Sequence, residues 1–357
     1  MITPLTRDEV HAVVAGAGCA RRIPVLLHQW TYPSAFGPRE AEVQAILDRF
    51  PQDAQVIHYR PPDIYQAPAD DPEYRWMNGD QPADAGEVHG LDEQVAIRDW
   101  AQLDGVLACF PSADYPGLFP NVPAPDGRYR IAHWWLGLFD RHWSLRGMTN
   151  TLMDFYTDPD SVHRLYRAFT DFFLRFIERA KEELNADAIY WTDDFGTQSD
   201  VFFSPQIFDE FFKPYYTELI EKVHGLGMQA WLHSCGNIAK ILPRLVDMGL
   251  DVIHPIQKYA MDETAIAREF GGKIAFWAGF DVQRIIPYGT PDDVRREVRH
   301  LMDTYARPDG RFLLTAGNGI TPDTPIESLR ALYEEAYAYG QLKGVLGKVG
   351  ESLEHSF

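Results

Sequence analysis

Two short motifs carry the residue types from which an enzyme site can be built. Leu232-His233-Ser234-Cys235-Gly236-Asn237 places an imidazole and a thiol two residues apart. On an extended segment that spacing turns both side chains to one side, and imidazole with soft sulfur suits zinc. Two ligands do not complete a site. The plainer alternative is a strand ending in a glycine turn, with Cys235 as a small buried hydrophobe. Tyr190-Trp191-Thr192-Asp193-Asp194-Phe195-Gly196-Thr197-Gln198 sets two carboxylates side by side. Adjacent side chains diverge, so one can face a pocket as base or ligand while the other caps a turn. If both face inward, like-charge repulsion raises one pKa, which suits acid–base work.

A third stretch runs from His133-Trp134-Trp135 through Arg141-His142-Trp143-Ser144-Leu145-Arg146-Gly147. Arg141 or Arg146 could clamp a carboxylate bidentately. Equally, a helix there could pack its aromatics inward and leave its arginines solvated or ion-paired. The turn Ala316-Gly317-Asn318-Gly319-Ile320 resembles a phosphate loop, but no Lys or Arg stands beside it, and phosphate is discounted.

These motifs need elements to hold them. Eight short apolar runs punctuate the chain: Ile23–Trp30, Ala54–Tyr59, Tyr129–Trp135, Ala188–Asp193, Met228–His233, Val252–Gln257, Lys273–Phe280 and Arg311–Ala316. They are apolar on both faces, as parallel strands covered by helices are. Between them lie helix signals. Ser204-Pro205, Asp158-Pro159 and Thr290-Pro291 each place a capping residue before an N1 proline, and Thr290 with Asp293 forms a capping-box pattern. Helices are expected at about 159–184, 205–225, 237–248, 261–270, 291–306 and 325–343. Strands alternating with helices predict an α/β fold, a (β/α)8 TIM barrel, with a doubly wound open sheet as the alternative. One domain over 1–357 is expected, with 1–22 as an N-terminal helical segment. Residues 60–128, rich in Pro, Asp and Gly, are expected as a long inserted loop between strands 2 and 3, a lid over the barrel.

In such a barrel the site sits at the C-terminal ends of the strands. Those ends carry His28 and Gln29, His58 and Tyr59, His133, Asp193 and Asp194, His233 and Cys235, His254 and Gln257, Asp281, and Asn318. A lone strand histidine is usually a satisfied core residue. Polar groups at every strand end are costly to bury together without a ligand, so an active site is expected there. Trp30, Trp134, Trp191, Trp231 and Trp277 would supply apolar walls.

Composition narrows the classes. The chain has 33 basic against 52 acidic residues, a formal charge of −19, which disfavours nucleic acid as a partner. No apolar run reaches the ~18 residues of a membrane span. The start, MITPLTRDEV, shows no signal-peptide pattern, and three scattered cysteines fit a reducing cytoplasm better than a disulfide framework.

From about Ile23 to Gly340 the sequence resembles the uroporphyrinogen decarboxylase superfamily. The resemblance is strongest in Trp191–Gln257: the Asp193-Asp194-Phe195-Gly196 segment, Ser204-Pro205 with Phe208 and Phe211-Phe212-Lys213-Pro214, then Leu232-His233-Ser234-Cys235-Gly236 and Asp251-Val252-Ile253-His254-Pro255-Ile256-Gln257. It implies a (β/α)8 barrel with its site at the C-terminal mouth, and often a homodimer. The superfamily holds a cofactor-free decarboxylase and a set of corrinoid-linked methyltransferases that bind zinc through His-x-Cys and a later Cys. The decarboxylase carries Met-Arg-Gln-Ala-Gly-Arg after its first strand. Here that stretch is Leu27-His28-Gln29-Trp30-Thr31-Tyr32, without arginine, which argues against uroporphyrinogen. The methyltransferases match at His233 and Cys235, but their third ligand falls on Asn318, a poor zinc ligand. Asp193, His28 or His254 could replace it, or there is no metal.

The leading expectation is therefore a methyltransferase-like or demethylase-like enzyme. It would move a methyl group between a small substrate and a corrinoid protein or thiol acceptor. Asp193, Asp194 and His233 are the expected catalytic residues. His233 and Cys235 are the expected metal ligands. His28, Gln29, Trp30, Tyr59, His133, Arg141, Arg146, Trp191, His254, Gln257, Asp281 and Asn318 are expected to bind substrate. The alternative is a metal-free decarboxylase or lyase acting on a small acid held by Arg141 or Arg146. A third is a silent barrel that only binds a ligand or partner.

Overall fold

The computed structural model describes residues 2–59, 92, 95–108, 112–114, 116–119, 121–134 and 137–354. Seven strands appear among them: β1 Ala54–His58, β2 Tyr129–Trp134, β3 Ala188–Thr192, β4 Gln229–His233, β5 Val252–His254, β6 Ala275–Phe280 and β7 Phe312–Ala316. They pair in chain order, all parallel.

The first apolar run closes the sheet without becoming a ladder strand. Val25 forms a single parallel bridge to Leu314 on β7, and on its other side Asp53 N–H donates to Val25 O at 3.2 Å. Pro24 has no N–H to donate, and His28–Trp30 winds into a 3-10 turn. The barrel thus has seven full staves and one reduced one, where eight strands were expected.

The helices are α1 Arg7–Ala15, α2 Glu40–Arg49, α3 Leu103–Ala108, α4 Leu138–Arg146, α5 Met148–Thr157, α6 Pro159–Leu184, α7 Pro205–Ile207, α8 Lys213–Gly225, α9 Leu242–Asp247, α10 Glu263–Phe270, α11 Ile285–Tyr288, α12 Pro291–Tyr305 and α13 Ile326–Glu354. The three proline starts hold, and two of the three caps: Ser204 accepts from Ile207 N–H and Thr290 with Asp293 closes a capping box, but the Asp158 side chain makes no capping hydrogen bond. The expected single helix over 205–225 carries a π-helical turn, Phe208–Phe212, between α7 and α8. Its Phe208, Phe211 and Phe212 are fully buried.

Period-two alternation sorts the strand residues into two apolar layers. Tyr129, Tyr190, Trp231, Val252, Trp277 and Leu313 fill the barrel interior, plugged from below by Leu5, Val10, Val13 and Val14 of the α1 region. The outer layer, between strands and helices, takes Trp134, Trp191, Leu232, Ile253 and Phe276.

The lid expected at 60–128 lies largely outside the described residues. Within its described part, Ile97, Leu103, Val106, Leu118 and Phe119 are buried in the outer layer. Arg179 of α6 donates to Ala113 O at 2.7 Å. No helix among the described residues is long and apolar enough to cross a membrane.

Candidate functional site

Alternation from the inward Trp231 makes His233, the last residue of β4, inward as well. Its register partners are Thr192 on β3 and His254 on β5. Beyond the strands, two loops lie backbone to backbone. Asn237 N–H donates to Thr197 O at 2.7 Å, and Phe195 N–H to Ser234 Oγ at 3.0 Å. A Cβ on Gly236 would come 2.2 Å from Gly196 O, and Gly236 has φ +80°, so both steric space and conformation require glycine there. Gln257 Oε1 accepts from Gly236 N–H at 2.6 Å. The β5 loop thereby locks the turn that presents Cys235.

This packing gathers Asp194, His233 and Cys235, whose ligand atoms all lie within 4.8 Å of one another. His233 Nε2 is 3.2 Å from Cys235 Sγ and 3.4 Å from Asp194 Oδ1. Both acceptors converge on the same nitrogen. In a nucleophile–base–carboxylate relay they would occupy opposite nitrogens of the ring. One proton on Nε2 cannot serve both, and the 3.4 Å to Asp194 Oδ1 exceeds the ~2.7–2.9 Å of a charge-assisted N–H···O bond. A tetrahedral zinc with ordinary bond lengths holds its donors ~3.3–3.6 Å apart, close to the two separations from His233 Nε2. The donor set of one sulfur, one imidazole and one carboxylate also fits a three-ligand zinc site with an open position. Burial would lower the His233 pKa, but Cys235 and Asp194 push it up to about 10.

Among the described residues, the side chain that stands beside His233 and Cys235 in a position to be a third ligand is Asp194, not Asp193, His28, His254 or residue 318. Asn318 stands beside the cluster, its Nδ2 3.9 Å from Cys235 Sγ, with Oδ1 taken by Gly319 N–H. A small cavity of about 60 Å³ opens there, lined by Cys235, Gln257, Gly279, Phe280 and Gly317 among others.

The two neighbouring carboxylates have separate tasks. Asp194 is half-exposed and accepts from Cys235 N–H at 2.7 Å. Burial pushes its pKa up, but His233 and that N–H outweigh it and hold it below the usual range. Asp193 is fully buried and accepts from Phe139 N–H at 3.1 Å, Asp140 N–H at 2.8 Å and the Tyr216 hydroxyl. It caps the first turn of α4 from across the sheet. Gly137 is needed for this approach, since a Cβ there would come 2.7 Å from Asp193 Cβ. Beneath Asp194 lies Asp140, whose Oδ2 accepts from Asp194 N–H at 3.3 Å. Burial and the Asp194 charge raise Asp140 to about 7.

The remaining expected residues divide. Trp30 reaches the mouth, stacked on His254 at 5.2 Å and tilted over His233 at 5.9 Å. Gln29, on the same turn, buries both amide atoms without a hydrogen-bond partner. His133 faces inward, its Nδ1 2.7 Å from Nδ1 of His58 across β1–β2, and burial followed by the charges of His58 and His233 keeps its pKa low. His28 turns away, to Phe50 O at 2.7 Å. Trp134 and Trp191 face outward, stacked on each other at 5.5 Å. Trp231 and Trp277 lie in the barrel interior.

Tyr59 also faces outward, beside Arg141. Burial pushes its hydroxyl up to about 12, against the pull of that guanidinium. Arg146 is held bidentately by Asp154 at 2.8 and 2.7 Å and also donates to Ile97 O and Arg98 O. Asp281 caps its own turn through Gln283 N–H and Arg284 N–H and accepts from Tyr259. Sequence reasoning missed Asp140, Tyr216 and Tyr190. The Tyr190 hydroxyl is buried with no hydrogen-bond partner, and its ring stacks on His133 at 4.5 Å. Alternation from Thr192, the register partner of His233, would have pointed Tyr190 inward; nothing local marks Tyr216.

A roomier cavity of about 560 Å³ lies around Arg21, Arg22, Arg49 and Glu334. Its guanidiniums already face Glu9, Asp53 and Glu334, so little charge is left there for a ligand.

A model of the family described as uroporphyrinogen decarboxylase (URO-D) matches residues 143–339. A methylated-thiol–coenzyme M methyltransferase of Methanosarcina mazei is 22% identical over 265 residues, which cover 72% of this chain and 65% of that protein's length. A uroporphyrinogen decarboxylase of Xanthomonas euvesicatoria is 26% identical over 308 residues, 81% of this chain and 80% of that protein. A solved methyltransferase from Methanosarcina mazei superposes with a TM-score of 0.61 at 16% identity, covering 94% of this chain and 99% of that one. That likeness shows a shared fold.

Proposed function

Because the chain belongs to the uroporphyrinogen decarboxylase family, we propose that its barrel mouth is a methyl-transfer site, taking a methyl group from a small substrate to a thiol or corrinoid-protein acceptor. One observation carries this: the ligand atoms of Asp194, His233 and Cys235 lie within 4.8 Å of one another, near enough to hold a single ion. Zinc bound there would supply Lewis acidity to a thiol or to the heteroatom that gives up its methyl group. The chain's own residues do the rest. His233, Cys235 and Asp194 hold the ion, and Gln257 and the Gly196–Gly236 contact hold the loop that carries Cys235. Trp30 walls one side.

A carboxylate substrate is less well served. Arg146 is committed to Asp154, and Arg141 lies beside the outward-facing Tyr59. Where the decarboxylase resemblance calls for arginines, this chain has His28, which turns away to Phe50 O, and Tyr32, so that stretch offers no cation to the acids of a tetrapyrrole.

The test combines elemental analysis of untagged protein with demethylation of methylcobalamin by small thiols, followed by its visible spectrum. One zinc per chain, and turnover lost in Cys235→Ser and Asp194→Asn, are expected. Metal-free protein after purification with added zinc, or coproporphyrinogen formed from uroporphyrinogen, would overturn the proposal.

A further inference from the structure

We propose that His254 is a positioning residue that decides which nitrogen of His233 faces the metal. His254 Nε2 lies 2.9 Å from Ala316 O at the end of β7. A carbonyl only accepts, so that nitrogen carries the proton. His254 is fully buried with no carboxylate partner among its hydrogen bonds, and a neutral ring with Nε2 protonated has a bare Nδ1. That Nδ1 lies 2.6 Å from His233 Nδ1, so His233 must donate from Nδ1. A neutral His233 then has its one lone pair on Nε2, the nitrogen that faces Cys235 Sγ and Asp194 Oδ1.

The relay is held rigidly. Trp30 lies 6° from parallel to the His254 ring, and Trp277 packs its other contact at 4.7 Å. The acceptor end is also fixed: a Cβ on Gly279 would come 2.4 Å from Gly317 Cα, so β6 and the turn after Ala316 pack without slack. Ligating histidines commonly donate their second N–H to a carboxylate or carbonyl. Here the acceptor is a second, neutral histidine. The relay adds no charge, and the ligand set of one thiolate and one carboxylate exactly offsets a divalent ion. The inference rests on the zinc reading above.

The experiment measures zinc affinity by chelator competition, with thermal melts, for wild type, His254→Leu and His254→Asn. Leu removes the acceptor for His233 and should weaken zinc binding about 10- to 100-fold. Asn offers Oδ1 where Nδ1 stood and should recover most of that loss. Equal affinity in wild type and Leu, or Asn no better than Leu at similar stability, would overturn the relay while leaving the zinc site standing. Wild type that takes up no zinc would overturn both. Should the variants fail to fold, ¹⁵N-histidine spectra of zinc-loaded wild type still decide. His233 bound through Nε2 with the proton on Nδ1 supports the relay, and the reverse tautomer overturns it.

Discussion

Asp193 and Asp194 adjoin in sequence, and their removal should have opposite consequences. In Asp193→Ala, Phe139 N–H, Asp140 N–H and the Tyr216 hydroxyl all lose their acceptor in a fully buried place. A lost helix cap costs ~0.5–2 kcal/mol, and each buried donor left unpaired ~1–3 kcal/mol. Relief of the repulsion between Asp193 and Asp140 returns part of this, leaving a net loss of about 3–5 kcal/mol. Asp194→Ala removes a half-exposed side chain whose main partner is Cys235 N–H. Its stability cost should stay near or below ~1 kcal/mol, while zinc affinity should collapse. Urea denaturation of both metal-free variants gives the first numbers and chelator competition the second. If Asp193→Ala is as stable as wild type while Asp194→Ala is strongly destabilised, the division of labour between the two carboxylates is wrong.

Arg146→Ala should cost ~3 kcal/mol, because it leaves the buried Asp154 with only Trp100 Nε1 and His142 as partners; zinc binding should be unchanged, and a loss of metal without loss of stability would refute the structural placing. Asp140 is raised from 3.8 to about 7 in the folded chain, so the folded state holds its proton more tightly. Its contribution to stability is complete below pH 3.8 and is lost as pH rises through about 7. Denaturation of metal-free protein across that range should show stability falling with pH, and Asp140→Asn should flatten the slope. Tyr190→Phe deletes a buried hydroxyl that has no hydrogen-bond partner among the described residues, so melting temperature should hold or rise by the equivalent of ~1 kcal/mol while turnover falls; a marked loss of stability would mean the hydroxyl is bonded.

Much of the barrel could be read along the chain. Runs such as Val252–His254 and Phe312–Ala316 are apolar on both faces because helices cover one side and the barrel interior the other. The proline-led helix starts are equally local, since a cap and a fixed φ act within one turn. Alternation also places the tryptophans: with His133 inward, Trp134 must face the helices, and Trp191 with it. The reduced first stave was less visible, because Pro24 and the 3-10 turn at His28–Trp30 matter only against the partner edges of β1 and β7.

The His233–Cys235 pairing was legible because two residues on one extended segment point together whatever surrounds them. The approach of Asp194 to that pair was not. Asp193 and Asp194 are equivalent as letters, and they part only when α4 brings two N–H groups and α8 brings Tyr216 to the first, leaving the second to face Nε2 of His233. That choice depends on the contact of Gly196 with Gly236 and on the register of β3 against β4. Both are distances between segments tens of residues apart, set by how whole strands and helices pack and not by the spacing of residues along any one of them.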